Sequence, residues 1–79
     1  DAPAWTLGRS ADCELVFDDP SISLEHARLA QGDAGWILED LNSTNGTRCR
    51  GVTTRRGELA PGDVIQLGNL VLLFDVIGV

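Results

Sequence analysis

Apolar residues along this 79-residue chain come in short runs, each closed by a turn signal. Residues 5–7 and 14–17 read as strands. The Asp18-Asp19-Pro20-Ser21 stretch after them reads as a turn, because Asp and Ser side chains bond nearby backbone and Pro presets φ. Residues 26–30 alternate, with Ala27 and Leu29 on one face and His26 and Arg28 on the other. Gly32-Asp33-Ala34-Gly35 reads as a hairpin loop leading into a strand over residues 36–41. Ser43-Thr44-Asn45-Gly46-Thr47 is a tight loop in which Asn-Gly takes positive φ easily. Arg55-Arg56-Gly57-Glu58 is the most polar stretch and reads as a surface loop. Pro61-Gly62 marks a further turn, and residues 64–67 and 70–77 read as two last strands joined by Gly68-Asn69. No window keeps apolar residues at helical spacing, so no long helix is expected. Short strands at roughly ten-residue spacing, with Gly, Pro and Asn turns between them, predict an all-β, two-sheet antiparallel sandwich. With no repeat, low-complexity tract or linker, residues 1–79 are expected to form a single domain, since so short a chain supports one core at most.

Composition narrows the function classes. Hydrophobic residues make up 43% and charged residues 23%, ordinary for a globular protein. The longest apolar stretch has strand length, well short of the roughly 18 residues a membrane helix needs. The net charge is −6, and every basic residue is Arg. That balance argues against nucleic acid or an anionic membrane as the main partner, because both are recognised through basic surfaces. Any anion site must therefore be local, built from a few Arg side chains and backbone N–H groups. Cys13, His26 and Cys49 lack metal-ligand spacing, and the two cysteines read as buried free thiols. Free thiols, with no basic-then-apolar start, lead to a cytoplasmic expectation.

Three separated segments carry the chemistry: Gly8-Arg9-Ser10, then Ser21-Ile22-Ser23-Leu24-Glu25-His26, then the run from Asp40 to Thr47. The first sets an Arg at a strand end, the second is a hydroxyl-rich loop, and the third is a hydroxyl-rich Asn-Gly turn. Strand-end loops of a sandwich collect at its two ends. Brought together, these would surround one anion with a guanidinium fork, hydroxyls and turn N–H groups, a sound phosphate site. Their order and spacing, with Cys13-Glu14-Leu15, Leu59-x-x-Gly62-Asp63-x-Ile65-x-Leu67-Gly68 and Phe74, resemble the forkhead-associated (FHA) domain family over nearly the whole chain. The resemblance implies an FHA-type β-sandwich whose loops bind a phosphothreonine segment of a partner protein, a kinase substrate, in signalling. It implies no cofactor and no metal. Arg9 would pair with the phosphate, Ser23 and the Leu24 N–H would donate to it, Thr44 would hold the phosphothreonine and Asn45 its neighbouring backbone. Gly8, His26 and Gly46 would support the site.

The departures from the family pattern also carry expectations. Leu24 stands where the family often has a polar side chain, so only its backbone can help. Ser21 stands where some members carry Arg, which removes an ion pair to a residue downstream of the phosphothreonine. Arg50 replaces a common Asn and would add charge at the binding edge, with Arg48, as a peripheral contact. Few residues precede Gly8, so the family's first strand is expected to be missing or shortened. That would expose an apolar edge on the last strand and open a second reading, a phospho-independent interaction or self-assembly module. Enzyme chemistry fits poorly: Ser23 and His26 have no partnering acid at a recognisable spacing, and no Walker or Gly-x-Gly-x-x-Gly loop is present. Trp5 and Trp36 read as core packing residues rather than a ligand cage.

Overall fold

The computed structural model describes residues 3–77. Among these are nine strands: β1 (Ala4–Gly8), β2 (Leu15–Val16), β3 (Ala27–Gly32), β4 (Gly35–Asp40), β5 (Thr47–Cys49), β6 (Val52–Thr53), β7 (Arg56–Leu59), β8 (Val64–Leu67) and β9 (Leu70–Leu73). They form a five-stranded sheet in the order β2-β1-β3-β4-β7 and a four-stranded sheet in the order β6-β5-β8-β9. The two-sheet sandwich is the expected architecture. One pairing departs from it: β1 and β2 run parallel, with Leu7 opposite Leu15. No helix of the described residues is long and apolar enough to cross a membrane.

Alternation along the strands builds the core. Leu29 and Leu38 pair across β3 and β4, and with Leu7 and Leu59 they turn inward against Cys49, Ile65 and Leu67 of the other sheet. Ile22 and Phe74 close the two ends from loops. Burying a Leu or Ile side chain stabilises by about 1.5–3 kcal/mol, so these positions carry the fold. Trp5 and Trp36, half-buried, stack with ring centroids 5.2 Å apart, and Phe74 meets Trp36 edge-on at 6.1 Å.

Four local expectations are corrected. The polar Arg55–Glu58 stretch is not wholly loop, because residues 56–58 lie in β7, which pairs with the edge of β4 from Trp36↔Leu59 to Glu39↔Arg56. Its charged residues face solvent while Leu59 faces the core, an alternation that the glycine at 57 masks. The last strand stops at Leu73 rather than running to residue 77. There Phe74 N–H bonds the Asp63 carbonyl, and Gly62 N–H bonds the Phe74 carbonyl, which turns the chain inward. His26 does not share the exposed face of Arg28; it lies just before β3 and is fully buried. β5 and β6 had no strand signal of their own. They form a hairpin in which Cys49 faces Val52, closed by Arg50 and Gly51 at φ 53° and 80°, the two positive values that tight hairpin turns demand. As expected, β9 lies at the edge of its sheet with no strand beyond it among the described residues, and Val71 and Leu73 are exposed.

Candidate functional site

The three chemistry-bearing segments meet at one end of the sandwich. Gly8 permits the first approach: a Cβ there would lie 2.1 Å from the Leu24 carbonyl oxygen and 2.9 Å from Cys13 Sγ, so a side chain has no room. Across this contact Arg9 N–H donates to Ser23 O at 3.0 Å and Ser10 N–H to Leu24 O at 3.1 Å. Arg9 Nε donates to Ile22 O at 3.0 Å. That bond anchors the guanidinium and leaves its terminal nitrogens without a protein acceptor among the described residues.

His26 ties the second segment to the third. Ser23 N–H donates to His26 Nδ1 at 3.0 Å, and His26 Nε2 lies 2.8 Å from the Gly46 carbonyl oxygen. A ring nitrogen that accepts an N–H bond is unprotonated, so Nε2 carries the proton and donates to Gly46. One neutral imidazole thus spans both loops. Two further bonds reinforce the join: Thr44 N–H to Ser23 Oγ at 3.0 Å and Asn45 Nδ2 to Ser21 O at 2.8 Å.

Carboxylates shape each loop from within. Asp19 Oδ1 accepts from Ser21 Oγ and Ser21 N–H, and these bonds hold the Asp19 carboxyl below its ordinary value. Asp40 accepts from Ser43 Oγ, Ser43 N–H and Thr47 Oγ1. Burial pushes the Asp40 carboxyl up, but those hydrogen bonds outweigh it and leave the group below the ordinary carboxylate value. Ser43 Oγ in turn accepts Gly46 N–H at 3.0 Å. Gly46 takes φ 87° and Asn42 φ 59°, so two residues of the loop lie in the left-handed region.

No buried side-chain polar atom among the described residues lacks a partner. The spare donors are therefore at the surface: the Arg9 terminal nitrogens, the Ser23 hydroxyl proton, the Leu24 N–H and the Thr44 hydroxyl, none of which donates within the described residues. Asn45 spends its amide nitrogen on Ser21 O and keeps its oxygen free. Leu24 is 55% exposed, so its side chain makes no claim on the loop interior. Arg48 is exposed beside Asn45 and Gly46. Arg50 is not gathered into the site, because its guanidinium pairs with Asp63 at 2.6 Å, on the hairpin side of β5. Cys13 donates its thiol to Leu24 O at 3.2 Å, and burial, with Glu25 close by, pushes that thiol up.

The sequence placed Asp40 and Ser43 in the third segment and Asp19 and Gly68 in turns, but gave none of the four its part in building the site. The Asp-x-Ser spacing at 19–21 is a local signal for a side chain that caps its own turn. Gly68 read only as a turn residue. It sits at φ 58° against Ser21, whose carbonyl oxygen a Cβ would approach to 2.4 Å, and Asn69 N–H donates to Ser21 Oγ at 2.8 Å. The β8–β9 turn thereby becomes a fourth wall.

A convergence of Arg, hydroxyls and spare N–H groups on sandwich loops defines a class of anion-reading β-sandwich, and comparison with known proteins identifies which. The FHA domain family model matches residues 5–68, and the chain belongs to that family. It is 31% identical over 74 residues to an oxoglutarate dehydrogenase inhibitor of Corynebacterium diphtheriae, a match covering 94% of this chain and 52% of that protein. The chain thus spans about half the length of that curated relative. Among solved structures, an FHA domain studied for phosphothreonine-dependent interactions superimposes with a TM-score of 0.90 at 29% identity, covering all of this chain and 82% of that one. The FhaA FHA domain, solved in complex with the intracellular domain of Rv3910, superimposes with a TM-score of 0.85 at 32% identity, covering 92% of this chain and 80% of that one.

Proposed function

We propose that residues 1–79 form one phosphothreonine-binding module, which joins a phosphorylated partner protein, the substrate of a kinase, to whatever carries it. The observation that carries this reading is the Ser23–Thr44 join. Its N–H···Oγ bond of 3.0 Å ties the loop that carries the free Ser23 proton to the loop that carries the Thr44 hydroxyl, and Arg9 is anchored to the same Ser23 loop through Ile22 O. A phosphate brings about −1.5 to −2 charge and three acceptor oxygens, and a planar guanidinium is the preferred partner for such a group. In a chain of net charge −6 the attraction is local, so an unphosphorylated segment gains nothing from it. The reading is of binding rather than catalysis. His26 offers Nδ1 to the Ser23 N–H and Nε2 to Gly46, so neither ring nitrogen is available to activate the Ser23 hydroxyl. Free buried thiols accord with work in the cytoplasm.

Calorimetric titration with phosphothreonine, phosphoserine and unphosphorylated peptide pools tests it. Binding should be confined to the phosphothreonine pool, and Arg9→Ala should remove about 2–5 kcal/mol of it, the usual result of truncating one partner of a hydrogen-bonded charge pair. Equal affinity in Arg9→Ala would refute the mechanism. One observation favours a second reading, self-association: the backbone edge of β9 is unpaired among the described residues, with Val76 and Ile77 exposed beyond it. Dimers in sedimentation that survive Arg9→Ala would support that reading, and a monomer at high concentration would exclude it.

A further inference from the structure

Asn45, the side chain expected to hold the peptide backbone, is itself held from behind. Its Nδ2 donates to the Ser21 carbonyl oxygen at 2.8 Å. A backbone carbonyl carries no proton, so only the nitrogen side of the amide can face it, and Oδ1 is turned away. The amide is thereby presented as an acceptor, ready for one backbone N–H of a bound segment. No other hydrogen bond of the Asn45 side chain fixes that orientation among the described residues.

What fixes the Ser21 carbonyl comes partly from far off in sequence. Ser21 Oγ donates to Asp19 Oδ1 at 2.7 Å and accepts the Asn69 N–H at 2.8 Å. Its one proton is spent, so the hydroxyl has no donor left for a ligand. Ser21 N–H adds a second bond to the same Asp19 oxygen at 2.8 Å. The Asn69 bond is the one hydrogen bond among the described residues that joins the Ser21 loop to the β8–β9 turn. Gly68 lets that turn come close, since a Cβ there would stand 2.4 Å from the Ser21 carbonyl oxygen and 2.6 Å from its Oγ. The same turn is tied to the Asn45 loop, because Gly68 N–H donates to Gly46 O at 3.2 Å. Three contacts thus close a triangle of loops, and Ser21 takes part in two of them.

We infer that Ser21 is a positioning residue for phosphopeptide binding: its hydroxyl, gripped by Asp19 and Asn69, sets the carbonyl that aims the Asn45 amide at the peptide backbone. This role rests on the phosphothreonine reading and deepens it. Ser21 needs no contact with the peptide to act. An amide free to rotate would offer nitrogen or oxygen indifferently and would lose that freedom on binding. An amide already held has no such ordering cost, which is how preorganisation raises affinity. The position that the family resemblance gives to an ion-pairing side chain thus serves here from behind the site, through the backbone.

The test takes one phosphothreonine peptide drawn from the degenerate pool and replaces the backbone amides beside its phosphothreonine by esters, one at a time. Each ester removes a single N–H donor and leaves the side chains and the phosphate as they were. Against the parent protein, one ester should bind about three- to tenfold more weakly than the amide peptide, the worth of a single hydrogen bond. Asn45→Ala should erase that ratio. Ser21→Ala should erase it too, whereas Ser21→Thr, which keeps the hydroxyl, should preserve it. The preference of Ser21→Ala for phosphorylated over unphosphorylated peptide, which depends on Arg9, should persist. A loop merely loosened would weaken amide and ester peptides alike and keep the parent's ratio, and that result would overturn the inference. Thermal unfolding confirms that the variants fold, and Ser21→Cys, close in size but weak in hydrogen bonding, gives the same comparison where the alanine variant does not. If the parent shows no ester penalty at any position while Arg9 is still required, the inference fails and the phosphothreonine reading stands. No binding of any phosphopeptide by the folded parent overturns both.

Discussion

Replacing His26 with alanine asks whether a single imidazole holds the two recognition loops in register. The ring is fully buried and serves the Ser23 N–H at 3.0 Å and the Gly46 carbonyl at 2.8 Å. Each bond contributes about 0.5–1.5 kcal/mol net, and leaving its partner unsatisfied adds to the loss. Removing the ring also leaves a cavity between loops that are tied elsewhere and cannot fully collapse. The combined cost is about 3–5 kcal/mol. A chain of this size has about 4–12 kcal/mol of stability in all, so the variant should sit near the edge of folding. Urea unfolding followed by the fluorescence of Trp5 and Trp36, which stack within the sandwich, reads the effect directly. With a slope of about 1 kcal/mol per molar, the midpoint should fall by about 3 M or more. Peptide titration at low temperature supplies the second arm: whatever fraction remains folded should bind phosphothreonine peptide weakly, because Ser23 is no longer positioned. A midpoint shift worth less than about 1 kcal/mol, with unchanged peptide affinity, would show that the Ser23–Thr44 and Asn45–Ser21 bonds hold the loops alone and that the imidazole is incidental.

Two other perturbations separate the site's parts. Gly8→Ala would place a Cβ 2.1 Å from the Leu24 backbone oxygen. Since backbone cannot turn aside like a flexible side chain, the loop should shift at a cost of about 1–3 kcal/mol, with a lower melting temperature and weaker phosphopeptide binding; an unaffected variant would mean that β1 and the loop are not in close contact. Acid should also loosen the site through Asp40. Its folded pKa lies below the ordinary value of 3.8, so its contribution to stability is present above that value and is lost as the pH falls below it, through the folded pKa. Asp40→Asn should flatten that part of the stability–pH curve, leaving the share that Asp19 contributes by the same sign, and an unchanged curve would count against the Asp40 clamp.

The fold class was legible because its evidence is local. Alternation and turn chemistry are written into neighbouring residues, so β1, β3, β4 and β8 could be read directly, as could the Gly32–Gly35 and Gly68-Asn69 turns. Strands whose pattern is too short or is broken by glycine could not. β7 exists because β4 offers it a partner, β5 because β8 does, and β6 because β5 does; pairing with a neighbour outweighs weak local preference. The same distinction divides the site. Arg9, Ser23, Thr44 and Asn45 could be named from residue type and order, since a guanidinium and hydroxyls at loop positions have few better uses than an anion. What each of them bonds was decided only in three dimensions. The neutral form of His26, the hold of Asn69 on Ser21 and the opposite fates of Arg48 and Arg50 all depend on residues far apart in sequence, whereas the Asp40 clamp is made within its own loop. Arg50 looked like a contributor to the binding edge until β8 brought Asp63 to it, and Arg48, two residues away on the same hairpin, was left without a partner. A side chain's chemistry is a property of its sequence position, but whether that chemistry is already used is a property of its neighbours, and only the packing of the two sheets chooses those.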